Sequence, residues 1–176
     1  RGGETVIESE QWMTTNTIEI AGVQETYEQS HKRMKQEAIR VFFAGNKATV
    51  ERHEVASIIR TELRKYIQDI ITIIERIINI RLKEVLPLTI FDVYAPTAQG
   101  TEEQQDLFYK LLREETREAT NRGSVIILGD FNATIQNNIS EEETCIGPFT
   151  FNKLTTTTSS QTQDVADNRE RFTTFA

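Results

Sequence analysis

Two apolar runs joined by one amphipathic helix constrain this chain more than any other feature. Residues 88–93 (LTIFDV) read as a strand, and Pro96 cannot donate to a ladder, so Tyr94 is the last residue before the chain leaves the sheet. Residues 101–119 carry a helix signature. Thr101 stands at the N-cap, acids occupy 102, 103 and 106, and Leu107, Leu111 and Leu112 fall on one face. Asn121-Arg122-Gly123 ends it. Residues 125–128 (VIIL) then form a short continuous apolar run bounded by Gly129, the pattern of a strand buried on both faces. Strand, helix, strand is a crossover unit, and it places the chain in the α/β class.

The second strand leads directly into Asp130 and Asn132, with Phe131 between them. Residues two apart on a strand point the same way, so a carboxylate and a carboxamide emerge side by side at the strand's carboxyl end. Open α/β folds place ligands there. A carboxylate can hold a metal or take a proton from water, and an amide can donate to a phosphate oxygen. The same residues also compose an Asx-rich turn.

Earlier in the chain, residues 5–15 read as a short helix on the sheet, with Trp12 in the core rather than stacked on a base. Residues 18–23 (IEIAGV) read as a strand, which puts Glu25 at a strand end, as Asp130 is. Residues 28–37 read as a polar loop or frayed helix with a basic cluster, His31, Lys32, Arg33 and Lys35. Strands follow at 38–43 and 55–59, then a turn at TELRKYI. Residues 70–82 are Ile-rich and favour strand. Arg76 and Arg81 interrupt that run as rim residues; an arginine facing a site would clamp phosphate. Tyr94 either caps the core or reaches a ligand phosphate. Residues 155–163 (TTTTSSQTQ) are a low-complexity loop within a stretch spanning about 152–166, and residues 167–175 begin a helix with Phe172 and Phe175 on its apolar side.

Composition removes several classes. A net charge of −7 argues against binding nucleic acid by bulk charge alone, leaving local contacts. One cysteine, Cys145, excludes an internal disulfide and fits a reducing, intracellular compartment, and His31 and His53 alone do not make a multi-histidine zinc site. No apolar run approaches the ~20 residues of a membrane span, and no signal peptide opens the chain. A first residue other than Met leads us to expect a piece of something longer.

Three stretches together, IEIAGVQET (18–26), DVYAPT (92–97) and VIILGDFNAT (125–134), resemble the endonuclease/exonuclease/phosphatase superfamily. Within it they are most similar to the retrotransposon-endonuclease branch, which includes craniofacial development protein 2-like members. ERIINIRL (75–82), the helix from Thr101 and DNRERFTTF (167–175) add to the likeness. The resemblance implies a four-layer α/β sandwich of the DNase I-like type, here one partial domain over 1–176. It implies cleavage of phosphoric esters with Mg2+ or Mn2+, and nucleic acid, DNA first, as the partner of a monomeric nuclear protein. By the same resemblance Glu25 is the metal carboxylate and Tyr94 touches the scissile phosphate. Asp130 orients or activates the attacking water, and Asn132 supports the phosphate. Arg76, read from its place in the run and not from the resemblance, is the candidate phosphate-binding arginine. Asp92 stands where the family's N-x-Y-A-P has asparagine, and Glu54 stands where it has a small residue. No match is found for the family's W-N-type strand or its S-D-H segment, which leaves two rivals: a catalytically dead remnant that binds, or a member acting on small phosphoesters.

Overall fold

In the computed structural model, which describes residues 2–28, 34–35, 38–44, 53–83, 87–97, 99–133 and 163–176, the alternating segments build two four-stranded sheets. The elements in chain order are α1 (Gly2–Thr15), β1 (Ile20–Glu28), β2 (Met34–Lys35), β3 (Ile39–Phe43), β4 (His53–Arg60), a 3-10 turn (Thr61–Tyr66), β5 (Ile67–Ile74), β6 (Ile77–Leu82), β7 (Leu88–Tyr94), α2 (Glu102–Thr120), β8 (Ser124–Asp130) and α3 (Gln163–Phe175). The first sheet has the order β1-β4-β3-β2 and the second β5-β6-β7-β8. The α/β class expected from the crossover unit is the class observed.

The chain divides into two units: Arg1–Tyr94 with Glu114–Gly129, and Ala95–Arg113 with Asp130–Ala176. Both sheets lie in the first unit, apart from the last residue of β8. Period-2 alternation decides which faces meet there. Val55 and Ile59 of β4 turn inward against Ile78 and Ile80 of β6 and Ile90 and Tyr94 of β7, joined by Ala44. On the outer face of the first sheet, Ile39, Val41, Ala56 and Ile58 pack against Met13 of α1. Each such isoleucine, removed from water, contributes roughly 1.5–3 kcal/mol. The layers of this unit therefore run helix, sheet, sheet. Trp12 is not in the core, as its helical spacing led us to expect: it is 56% exposed, because Met13 is the α1 residue that faces the sheet.

The Ile-rich stretch at 70–82 is strand, as expected, and forms the hairpin β5–β6, turning at Glu75 and Arg76. Two other expectations change. Glu25 lies inside β1 rather than at its end. The strand buried on both faces is not β8 but β6 and β7, where Ile77 to Ile80 and Thr89 to Tyr94 are all buried. Among the described residues β8 is an edge strand, half-buried, with Ile126 45% exposed. A four-residue apolar run carries no information about how many neighbours the strand has. The crossover is as expected: Ser124 N–H donates to the Pro87 carbonyl and Gly129 lies against Val93, so β8 runs parallel to β7.

In α2 the expected cap is a reciprocal pair. The Gln104 N–H donates to Thr101 Oγ1 at 3.3 Å, and the Thr101 N–H donates to Gln104 Oε1 at 3.2 Å. Thr101→Ala is expected to lower stability by about 1 kcal/mol in urea unfolding, with an unchanged slope.

In the second unit, Phe131 meets Phe172 at a ring separation of 4.8 Å and Phe175 at 6.3 Å, while Tyr109 meets Phe175 at 6.1 Å. Arg171 Nε pairs with Asp106 Oδ1 at 3.2 Å. The apolar side expected for Phe172 and Phe175 is the side α3 uses. The low-complexity stretch lies outside the described residues up to 162, and its last residues belong to α3. Cys145 and the side chains of His31, Lys32, Arg33, Lys35 and His53 also lie outside the described residues. No described helix is long and apolar enough to cross a membrane.

Candidate functional site

Glu25 owes its position to an irregularity in β1. Between Gln24 and Glu28 the strand advances four residues while β4 advances two, from Val55 to His53. Surplus residues must bulge, and a bulge re-aims a side chain. Glu25 takes a φ of 55°, in the left-handed region that few non-glycine residues occupy. Its carboxylate is exposed, and Oε1 accepts a 3.1 Å hydrogen bond from the Tyr94 hydroxyl. Residues 69 positions apart are thus brought together, Glu25 from the bulge within β1 and Tyr94 from the end of β7.

Tyr94 is itself gripped. The Arg76 guanidinium sits 5.1 Å from its ring centroid, Arg76 Nη1 donates to its carbonyl at 3.3 Å, and the Tyr94 N–H donates to the Arg76 carbonyl at 3.0 Å. Arg76 Nη2 meets Glu54 Oε2 at 2.5 Å. Glu54, the acid in place of a small residue, is thus the counter-charge of Arg76. Arg76, expected as a rim residue or phosphate clamp, lies against the tyrosine.

Behind this pair lies a group the sequence marked only as a departure. Asp92 is 1% exposed, two residues before Tyr94 and on the same inward face. Ser57 Oγ donates to its Oδ2 at 2.9 Å and Gln24 Nε2 to its Oδ1 at 3.1 Å. Gly22 leaves room for it, because a Cβ there would stand 2.3 Å from Asp92 Oδ1. Burial disfavours the charge and pushes the Asp92 carboxyl up to about 7, against the two hydrogen bonds, which favour the carboxylate. Gln24 is the neighbour of Glu25, so the buried acid tethers the start of the bulge.

The second unit holds the other expected residues. Asp130 is exposed, and its Oδ1 accepts the Asn132 N–H at 2.7 Å, an Asx turn formed by the very residues expected to emerge side by side. Asn132 has a φ of 49°. Its Nδ2 donates to the Ala95 carbonyl at 2.7 Å, and the Ala95 N–H donates to the Asp130 carbonyl at 2.8 Å. The alternative readings of Asp130 and Asn132, turn or paired ligand groups, are therefore compatible: among the described residues the turn uses Asp130 Oδ1 and one Asn132 Nδ2 hydrogen, not Asp130 Oδ2 or the other hydrogen. Asn168 of α3 also takes part, donating from Nδ2 to the Asn132 carbonyl at 3.0 Å. Sequence reasoning assigned Asn168 no role, and its only signal was its place in DNRERFTTF.

No group of three or more histidine, cysteine, aspartate or glutamate side chains among the described residues is arranged to hold a metal ion. Glu25 offers a single exposed carboxylate with Oε2 outside its bond to Tyr94. That donor set fits Mg2+, a hard ion that keeps several waters and uses one or two carboxylates.

Two four-stranded sheets with helices define the chain as a mixed α/β protein. No family model and no curated protein matches it. Solved structures do match, among them the endonuclease domain of TRAS1, a telomere-specific non-LTR retrotransposon, with a TM-score of 0.49 and 18% identity over 71% of this chain. The match covers 52% of that structure, so this chain spans about half its length. At that identity and TM-score the likeness assigns no chemistry here.

Proposed function

We propose that this chain carries part of a metal-dependent endonuclease domain of the retrotransposon type, which nicks nucleic acid, with DNA as the first candidate substrate and the nucleus as its place of work. The observation that carries the reading is the Tyr94 hydroxyl bonded to the Glu25 carboxylate where a strained bulge exposes that carboxylate. Backbone held in a sparsely populated region tends to cluster at active and ligand sites. Bound at Glu25, Mg2+ or Mn2+ would supply Lewis-acid polarisation of a phosphoryl oxygen.

The protein's own groups have separable tasks. Tyr94, fixed through its ring and carbonyl by Arg76, presents a hydroxyl that can pass from Glu25 to a phosphate oxygen. Asp130 keeps Oδ2 to accept a proton from an attacking water while Oδ1 holds the turn. Asn132 has a second Nδ2 hydrogen to offer a phosphate oxygen. Positioning and charge neutralisation are most of what phosphoryl transfer asks of a protein.

The test is nicking of supercoiled plasmid by this chain with Mg2+, Mn2+ or EDTA. Nicking is expected with either metal and not with EDTA, and Glu25→Gln and Asp130→Asn are each expected to slow it by at least about a hundredfold. Nicking that survives EDTA, or that both variants retain, sinks the proposal. So does a chain that never nicks.

A further inference from the structure

Asn132 sits at a φ of 49°, in the left-handed region that asparagine tolerates better than most non-glycine residues, and three polar contacts surround it there. One of its three polar contacts is local to the turn, its N–H on Asp130 Oδ1; its Nδ2 reaches the Ala95 carbonyl, 37 residues back. The third is also long-range. Asn168, 1% exposed on α3, donates to the Asn132 carbonyl at 3.0 Å and makes a long 3.5 Å contact to the Pro96 carbonyl. One amide nitrogen thus ties the carbonyls of the two segments that the Ala95–Asp130 and Asn132–Ala95 bonds also join.

The chemistry of the position admits few residues. It faces two carbonyl oxygens, so only a donor serves; a carboxylate would set lone pairs against lone pairs, and an alkyl group would leave both oxygens without it. Asn168 Oδ1 is itself buried with no partner among the described residues, an unfavourable state that an apolar side chain would avoid. The fold accepts that penalty where two N–H donors are needed. The helix that carries Asn168 is anchored outside the turn by Arg171 on Asp106 and by Phe175 on Tyr109. A donor on an anchored helix can fix a loop to within the tolerance catalysis requires.

We propose that Asn168 is a positioning residue: from α3 it locks the Asp130–Asn132 turn in its left-handed form, and so aims Asp130 Oδ2 and the second Asn132 Nδ2 hydrogen. The consequence for turnover rests on the nuclease reading above; the consequence for the turn does not.

The test uses the whole chain with Asn168→Asp, which keeps the side chain's shape and removes its donors, and Asn168→Ala, which removes them without adding charge. By NMR, the Asn132 Nδ2 proton pair, inequivalent while bound to Ala95, is expected to move toward free-amide positions in both variants. Contacts between the Tyr109 and Phe175 rings, which lie outside the turn, are expected to persist. In plasmid nicking, kcat is expected to fall at least about tenfold with KM unchanged, because orientation rather than binding is lost. If the aspartate unseats α3, the alanine variant gives the same reading. Unchanged Asn132 resonances in a folded variant overturn the proposal. Loss of the ring contacts together with the Asn132 signals in both variants also overturns it, since Asn168 would then be a general packing residue. A wild-type chain that does not nick removes the nuclease reading, and the resonances alone then decide this one.

Discussion

Replacing Asp92 with asparagine is expected to stabilise the protein at pH 8 and to leave it nearly unchanged at pH 4. The Asp92 carboxyl, raised by burial from an ordinary 3.8 to about 7, binds its proton more tightly folded than unfolded. Between those two values the folded state holds more protons, so stability falls as pH rises, by up to about 1.4 kcal/mol per pH unit, and levels off above about 7. The full loss is on the order of 4 kcal/mol, a large share of a small domain's stability. Asparagine is neutral throughout and can keep both bonds. Its Oδ1 accepts from Gln24 Nε2, and its amide donates to Ser57 Oγ, which reverses its own hydrogen. Thermal unfolding of both proteins from pH 4 to pH 9 measures this: the melting temperatures should diverge between about 4 and 7 and then run parallel. Curves that stay parallel over the whole range would mean that folding leaves the Asp92 carboxyl unshifted, and would refute the argument.

The second large effect is expected at Gly129. It has a φ of +146°, and a Cβ there would stand 2.0 Å from the Val93 carbonyl oxygen and 2.8 Å from the carbon that bears it. Both the backbone conformation and the spacing of β7 and β8 exclude a side chain. A backbone oxygen cannot rotate away as the end of a flexible side chain can, so Gly129→Ala must push the strands apart or twist β8 out of its φ. A loss of at least about 3 kcal/mol is expected in chemical unfolding. Ile126→Thr on the same strand, at a site 45% exposed, should stay within about 0.5 kcal/mol. Equal effects of the two substitutions would refute the close-approach argument. The same glycine precedes Asp130, so its spacing also decides where that carboxylate leaves the strand.

What the sequence by itself determined follows from local rules. The α2 cap at Thr101, the end of β7 before Pro96, the period-2 faces of β4 and the apolar side of α3 each depend on residues within a few positions of one another. Asp130 and Asn132 were legible for the same reason, since GDFN is a strand end and a turn in one stretch. Tertiary structure decided the rest. That β8 is an edge strand depends on how many strands flank it, which no apolar run encodes. That Met13 rather than Trp12 meets the sheet depends on the rotation at which α1 docks. Glu25 meets Tyr94 only because β1 bulges against β4, and Asp92 is pushed toward neutrality only because two sheets close over it. Asn168 reaches Asn132 from 36 residues away. In each case the deciding term is desolvation or contact between segments far apart in the chain, and such terms have no value until the chain has folded.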